Sequence, residues 1–171
     1  FGPLRSPSQC SKTQIRRPGD IPAIPSTAIH VTGFASMCST PLNRARVEAS
    51  IALARKVFGL FKIALPRYAN WTAADWDTVG SDYDEVRDCM LGWDVTDFGS
   101  NKFEQIGRTL FTLRNGNLHD SRYPKSYAEK LILDPEGQRA PAHFHLTKRE
   151  DIINRGGGNI LVQLTRVNDD N

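Results

Sequence analysis

From Thr40 onward the chain places apolar side chains at three- and four-residue steps. Val47, Ile51, Ala54, Phe58 and Phe61 make one stripe, the period of an amphipathic helix. Thr40 is placed to cap this helix, Pro41 suits its first turn, and Pro66 is the expected stop. The stretch "WTAADW" starts a second, short helix, with Thr72 as N-cap and Asp75 three positions on, in the manner of a capping box. Trp71 and Trp76 read as packing residues.

After "MLGWDVTDFGS" the period drops to two. "IGRTLFTLRNGN" alternates through Leu110, Phe111, Thr112 and Leu113, then reaches an Asn-Gly turn at Asn115 and Gly116. "SYAEKLILD" is a second strand, and Pro135, Glu136 and Gly137 supply a turn, with Pro fixing φ and Gly placed where the chain reverses. "AHFHL" and "NILVQLT" are the next two expected strands, with "NRGGG" as a tight turn between them. Helices first and short, turn-linked strands later predict an α+β chain whose β part is a sandwich or small barrel.

Residues 1–36 break this patterning. Pro3, Pro7, Pro18, Pro22 and Pro25 stand among Ser, Thr and Gly with little apolar periodicity, so the stretch is expected to be a disordered leader or a non-native extension, with the domain at 37–171. An Arg- and Ser-rich transit peptide fits it better than a secretory signal, and initiation at Met37 is an equal alternative. The leader also carries the charge: Arg5, Lys12, Arg16 and Arg17 against Asp20 account for the whole net charge of +3. The remainder is balanced and has no basic stripe interleaved with aromatics, so no nucleic-acid partner is expected. With 39% hydrophobic and 24% charged residues and no long apolar run, no membrane partner is expected either. Cys10, Cys38 and Cys89 are odd in number and include no CxxC pair, which points to unpaired thiols in a reducing compartment.

The candidate chemistry lies in "APAHFHLTKREDIINRGGG". In a strand, His143 and His145 point to one side and Phe144 to the other, so two imidazoles converge. Glu150 follows a short connection and can return beside them, giving two nitrogens and a carboxylate, a set suited to Mn, Fe, Co, Ni or Zn. Histidines that are solvent-facing or merely hydrogen-bonded are the competing reading. The glycine run lacks the Lys-Ser/Thr of a P-loop and the strand-Gly-helix spacing of a dinucleotide site, which leaves a turn as its role. Lys130, in "AEKLIL", shares parity with Ala128 and Ile132, and so either lines a barrel mouth or sits on a solvent face. Lys148, Arg149 and Asp151 read as loop and surface charge.

The spacing Gly137, five residues, His143, one residue, His145, four residues, Glu150, six residues, Gly157 resembles the first motif of the cupin superfamily. More narrowly, "DEVRDCMLGWDVTDFGS", "GRTLFTLRNGN", "YAEKLILDPEGQ", "PAHFH" and "KREDIINRGGGNILVQL", in that order, resemble the D-lyxose isomerases from about residue 42 to about residue 166. That resemblance implies a cupin-type β-barrel behind N-terminal helices and interconversion of D-lyxose and D-xylulose through an enediol(ate). It also implies a divalent metal, usually manganese, a pentose substrate, and a cytoplasmic homodimer. Carried over residue by residue, it makes His143, His145 and Glu150 metal ligands and Lys130 an active-site residue that hydrogen-bonds a sugar oxygen.

Two parts of the family pattern have no match here. The fourth ligand, a histidine of the second cupin motif, and a later acidic proton-transfer residue find no counterpart in "NILVQLTRVNDDN"; His30 and His119 read as solvated. The expectation is an incomplete barrel and a fragment that binds metal weakly and turns over D-lyxose poorly or not at all. The alternatives are a non-catalytic cupin-like metal- or sugar-binding protein and, behind it, a mononuclear iron oxygenase using the same three ligands.

Overall fold

The protein is described by a computed structural model over residues 41–166. The assignment of residues 1–36, and Thr40 as a cap, lie outside the described residues. The first helix, α1 (Arg44–Leu60), begins at Asn43, whose side chain accepts a hydrogen bond from the Arg46 N–H at 3.0 Å. Pro41 therefore precedes the helix instead of occupying its first turn. Most of the predicted stripe faces inward: Ala54 and Phe58 are buried and Val47 and Ile51 half-buried, but Phe61, its last member, is the C-cap and is exposed. Pro66 does not end the helix. Lys62, at φ 55°, ends it, with its N–H on the Gly59 carbonyl and the Ile63 N–H on the Phe58 carbonyl. This is a Schellman closure on a non-glycine residue.

A single 3₁₀ turn (Arg67–Asn70) leads to α2 (Ala73–Asp77), where the Thr72–Asp75 capping box forms as expected. Trp71 packs edge-on against Trp76 at 4.9 Å and against Tyr83 at 4.6 Å, as packing residues should. After α3 (Asp84–Asp88) come three strands, β1 (Gly92–Thr96), β2 (Arg108–Arg114) and β3 (Glu129–Leu133), paired antiparallel in the order β1-β2-β3. The chain is α+β, and its sheet is open, not closed into a barrel.

The core lies between α1 and one face of this sheet. Phe111, fully buried on the central strand, meets the Trp93 ring edge-on at 4.9 Å and stacks on Tyr68 at 5.7 Å, while Phe58 stacks on Trp93 at 6.1 Å. The Trp93 indole N–H donates to the Ala69 carbonyl at 2.8 Å, which satisfies the polar atom this ring carries inward.

Two sequence expectations fail for identifiable reasons. Asn115-Gly116 is not a two-residue hairpin turn; a long connection over residues 115–128 joins β2 to β3. The Asn115 and Asn117 side chains instead donate to the carbonyls of Cys89 and Asp88, both at 3.0 Å. Gly116 lies so close to Lys125 that a Cβ would stand 1.8 Å from its carbonyl oxygen. These residues moor the connection to the end of α3, an option the local sequence does not reveal. The second failure concerns "AHFHL" and "NILVQLT", which are not strands. A strand exists only with a ladder partner, and none of the described residues offers them one. The turn at Pro135–Gln138 does form, with Gly137 at φ 79° and the Gln138 N–H on the Pro135 carbonyl at 3.0 Å.

Candidate metal centre

The segment that carries the histidines is tied to the fold at both ends. At its start, the Arg139 N–H donates to the Gln105 carbonyl at 3.0 Å, and the Gly107 N–H donates to the Arg139 carbonyl at 3.2 Å. Gly107 is required there, because a Cβ would lie 2.4 Å from the Phe103 carbonyl oxygen. At its end, Gly156 adopts φ 130° with its backbone against the Phe61 ring, where a Cβ would stand 2.6 Å from Cε1. The Asn154 side chain closes this bend by accepting from the Gly156 N–H at 2.9 Å and donating to the Gly158 carbonyl at 2.8 Å. The glycine run is therefore a bend seated on the C-terminus of α1, not a turn between strands.

Between these moorings His143, His145 and Glu150 come together, with one donor atom of each within 4.8 Å of the others. The imidazoles meet edge-on at 4.9 Å between ring centroids, and His145 Nε2 lies 3.1 Å from Glu150 Oε1. The three come together with no sheet beneath them, and so not through the strand alternation expected, and all three residues are exposed. His143 Nδ1 stands 2.9 Å from the Pro141 carbonyl. A proton on Nδ1 donates to that oxygen and leaves Nε2 with its lone pair free, the usual arrangement around a ligating imidazole.

Lys148 is an exposed loop charge, as expected, and it has a partner in the cluster. Its ammonium donates to Glu150 Oε1 at 2.8 Å and holds the Glu150 carboxyl below the usual carboxylate range, aided by His145. Glu150 thus stays ionised, as a ligand must. Two nitrogens and one carboxylate oxygen this close are a donor set that fits a divalent cation of the borderline class, with no thiolate needed.

Lys130 sits on β3 opposite Thr112, exposed, on the sheet face turned away from α1. Just past this pair the ladder slips: Thr112 pairs with Lys130 but Arg114 with Glu129, so β2 carries one extra residue, a β-bulge. Ion pairs clamp the two strands on either side, Arg114 with Glu129 and Arg108 with Asp134, the latter through two contacts at 3.2 and 2.9 Å. Among the described residues no hydrogen bond or ion pair joins Lys130 to the histidine-glutamate cluster. Lys148 as a partner of Glu150 and Pro141 as a partner of His143 were not identified from the sequence. The short separation of Lys148 from Glu150 was the available signal.

Helices on one face of an antiparallel sheet, with two imidazoles and a carboxylate gathered on an adjoining loop, define an α+β domain with a candidate metal centre. Comparison with known proteins narrows that class. The D-lyxose isomerase family profile matches residues 42–171. A D-lyxose/D-mannose isomerase of Escherichia coli O157:H7 is 44% identical over 124 residues, 72% of this chain and 55% of that protein. One of Serratia proteamaculans is 50% identical over 108 residues, 63% of this chain and 47% of that protein. The chain belongs to the D-lyxose isomerase family. It spans about half the length of these relatives.

Proposed function

We propose that this chain carries the metal-binding part of an aldose-ketose isomerase of cupin type that interconverts D-lyxose and D-xylulose through an enediol(ate). The observation that carries this reading is the convergence of His143, His145 and Glu150 within 4.8 Å, in a chain of the D-lyxose isomerase family. These three residues would hold a divalent cation, manganese in the first instance. Such an ion supplies Lewis acidity to the sugar oxygens when bound.

The chain's own residues do the rest of what can be derived. Isomerisation takes a proton from C2 and returns one to C1, while the O2 proton is lost and O1 gains one, and negative charge grows on oxygen between the two steps. Lys130, a fixed cation on a clamped strand, donates to a sugar oxygen and stabilises that charge. The Pro141 carbonyl sets the tautomer of His143, and Lys148 keeps Glu150 ionised until a cation takes its place.

The test uses the full chain. Manganese binding, followed by electron paramagnetic resonance, is expected to weaken by more than about tenfold in His143→Ala, His145→Ala and Glu150→Gln. The manganese-loaded chain is expected to convert D-lyxose to D-xylulose slowly, and to stop on chelation. Exposure of all three donors favours a second reading, a non-catalytic metal-binding protein. A folded, manganese-loaded chain that binds no D-lyxose and forms no D-xylulose would overturn the isomerase reading and leave this one.

A further inference from the structure

The two faces of the sheet differ in chemistry. Trp93, Phe111, Leu113, Leu131 and Leu133 pack toward α1. The register places two rows on the other face: Gly92, Thr112 and Lys130 side by side, and next to them Asp94, Leu110 and Ile132. Directly paired residues in such a sheet stand roughly 4.5–5.5 Å apart at Cβ. Three features of these rows lack an explanation within the fold. Thr112 is only 5% exposed, yet no hydrogen bond of its hydroxyl is found among the described residues. The hydroxyl is nevertheless not one of the buried polar atoms left without a partner, so solvent, or a ligand in its place, reaches it. Asp94 is exposed and makes no ion pair among the described residues. Gly92, at φ 108°, has no atom within 4 Å of where a Cβ would stand, so space is open beside Thr112.

We propose that Thr112 and Asp94 are substrate-binding residues that, with Lys130, hold the hydroxyls of a pentose on this face of the sheet. The proposal rests on the reading of Lys130 as a sugar ligand. A pentose offers vicinal hydroxyls along one edge and a C–H surface between them. Lys130 donates, the Asp94 carboxylate accepts, and the Thr112 hydroxyl does either. Leu110 and Ile132, the latter 46% exposed, give the C–H surface an aliphatic floor, and the gap over Gly92 leaves room for the sugar edge. A site that pairs hydroxyls with fixed polar groups discriminates strongly against deoxy analogues, because the analogue leaves those groups unpaired.

The experiment measures D-lyxose binding to the manganese-loaded full chain by saturation-transfer NMR and calorimetry, with turnover alongside. Thr112→Val and Asp94→Asn are each expected to weaken D-lyxose binding about tenfold. KM is expected to rise by a similar factor with kcat little changed, the mark of lost ground-state binding. Thr112→Ser, which keeps the hydroxyl, is expected to restore binding, and manganese affinity and melting temperature to stay as in the parent chain. If the parent chain binds no D-lyxose, this proposal and the isomerase reading fall together. Should the parent bind it and both variants bind equally well, the proposal alone falls. A loss that tracks lowered melting or lost manganese, or that Thr112→Ser does not restore, marks a structural role and overturns it as well.

Discussion

Phe111 is the residue on which the packing of this protein converges: fully buried, mid-way along the central strand, and in ring contact with Trp93 and Tyr68. Truncating it removes both ring contacts and leaves a cavity between α1 and the sheet. Phe111→Ala is expected to lower stability by about 3–5 kcal/mol. Urea unfolding followed by tryptophan fluorescence reads this as a lower midpoint at unchanged slope, and a loss below about 1 kcal/mol would mean the core sits elsewhere. Contrast Glu150, whose environment is built from charge. Lys148 and His145 stand within hydrogen-bonding distance of one carboxylate oxygen, so the group that would face a cation is already ionised and already positioned.

At the scale of elements, short helices depend on their ends, because most of their backbone groups are terminal. The Thr72 side chain accepts from the Asp75 N–H, while the Asp75 carboxylate accepts from both the Thr72 N–H and its hydroxyl at 2.7 Å. These bonds hold the Asp75 carboxyl below its ordinary range, the backbone N–H contributing most. The folded value is depressed, so Asp75 favours the folded state above its unfolded value, and that contribution is lost as pH falls through the folded one. Carboxyl NMR titration is expected to show Asp75 titrating below an ordinary aspartate in the parent chain and moving upward in Thr72→Ala. An Asp75 that titrates identically in both would show the capping box absent in solution. The β2-β3 connection obeys the same logic with tertiary partners. The Tyr123 hydroxyl donates to Asp88 at 2.9 Å, and partial burial followed by this bond pushes its phenol up to about 12.

For the whole molecule, the described chain divides into a packed part and a shorter, exposed C-terminal part. From residue 141 to residue 166 every position is exposed, including Phe144, Leu146, Leu161 at 96% and Leu164 at 87%. Apolar surface of this extent drives association between molecules. Replacing Leu161 and Leu164 by Lys is expected to leave the melting temperature unchanged, since neither side chain is packed, while reducing concentration-dependent light scattering. A clear drop in melting temperature would show that this segment is packed in solution. No described helix is long and apolar enough to cross a membrane, so this apolar surface does not belong to a membrane-spanning helix.

By itself the sequence determined whatever depends on near neighbours along the chain. The apolar stripe of α1, the Thr72–Asp75 box, the alternation of β2 and β3, the Pro135–Gly137 turn and the grouping of His143, His145 and Glu150 all arise from spacings of a few residues, where period and turn chemistry dominate. β1 escaped this reading because Gly92 and Asp94 dilute its Trp93-Val95 alternation, and only pairing with β2 makes it a strand. Where α1 stops is also local, since the left-handed Lys62 closes it on Gly59 and Phe58 before Pro66 is reached, but no glycine marks the place; the tertiary structure alone decided the rest. It decided that Asn115-Gly116 moors a loop instead of turning a hairpin, since the partners of the flanking asparagines, Cys89 and Asp88, come from a distant stretch of chain. It also decided that "AHFHL" and "NILVQLT" are not strands: alternation creates a face for a sheet, but a strand forms only where another offers its hydrogen bonds. The placement of Thr112 and Asp94 on the Lys130 face is of the same kind, a consequence of register among three strands that no single stretch of sequence contains.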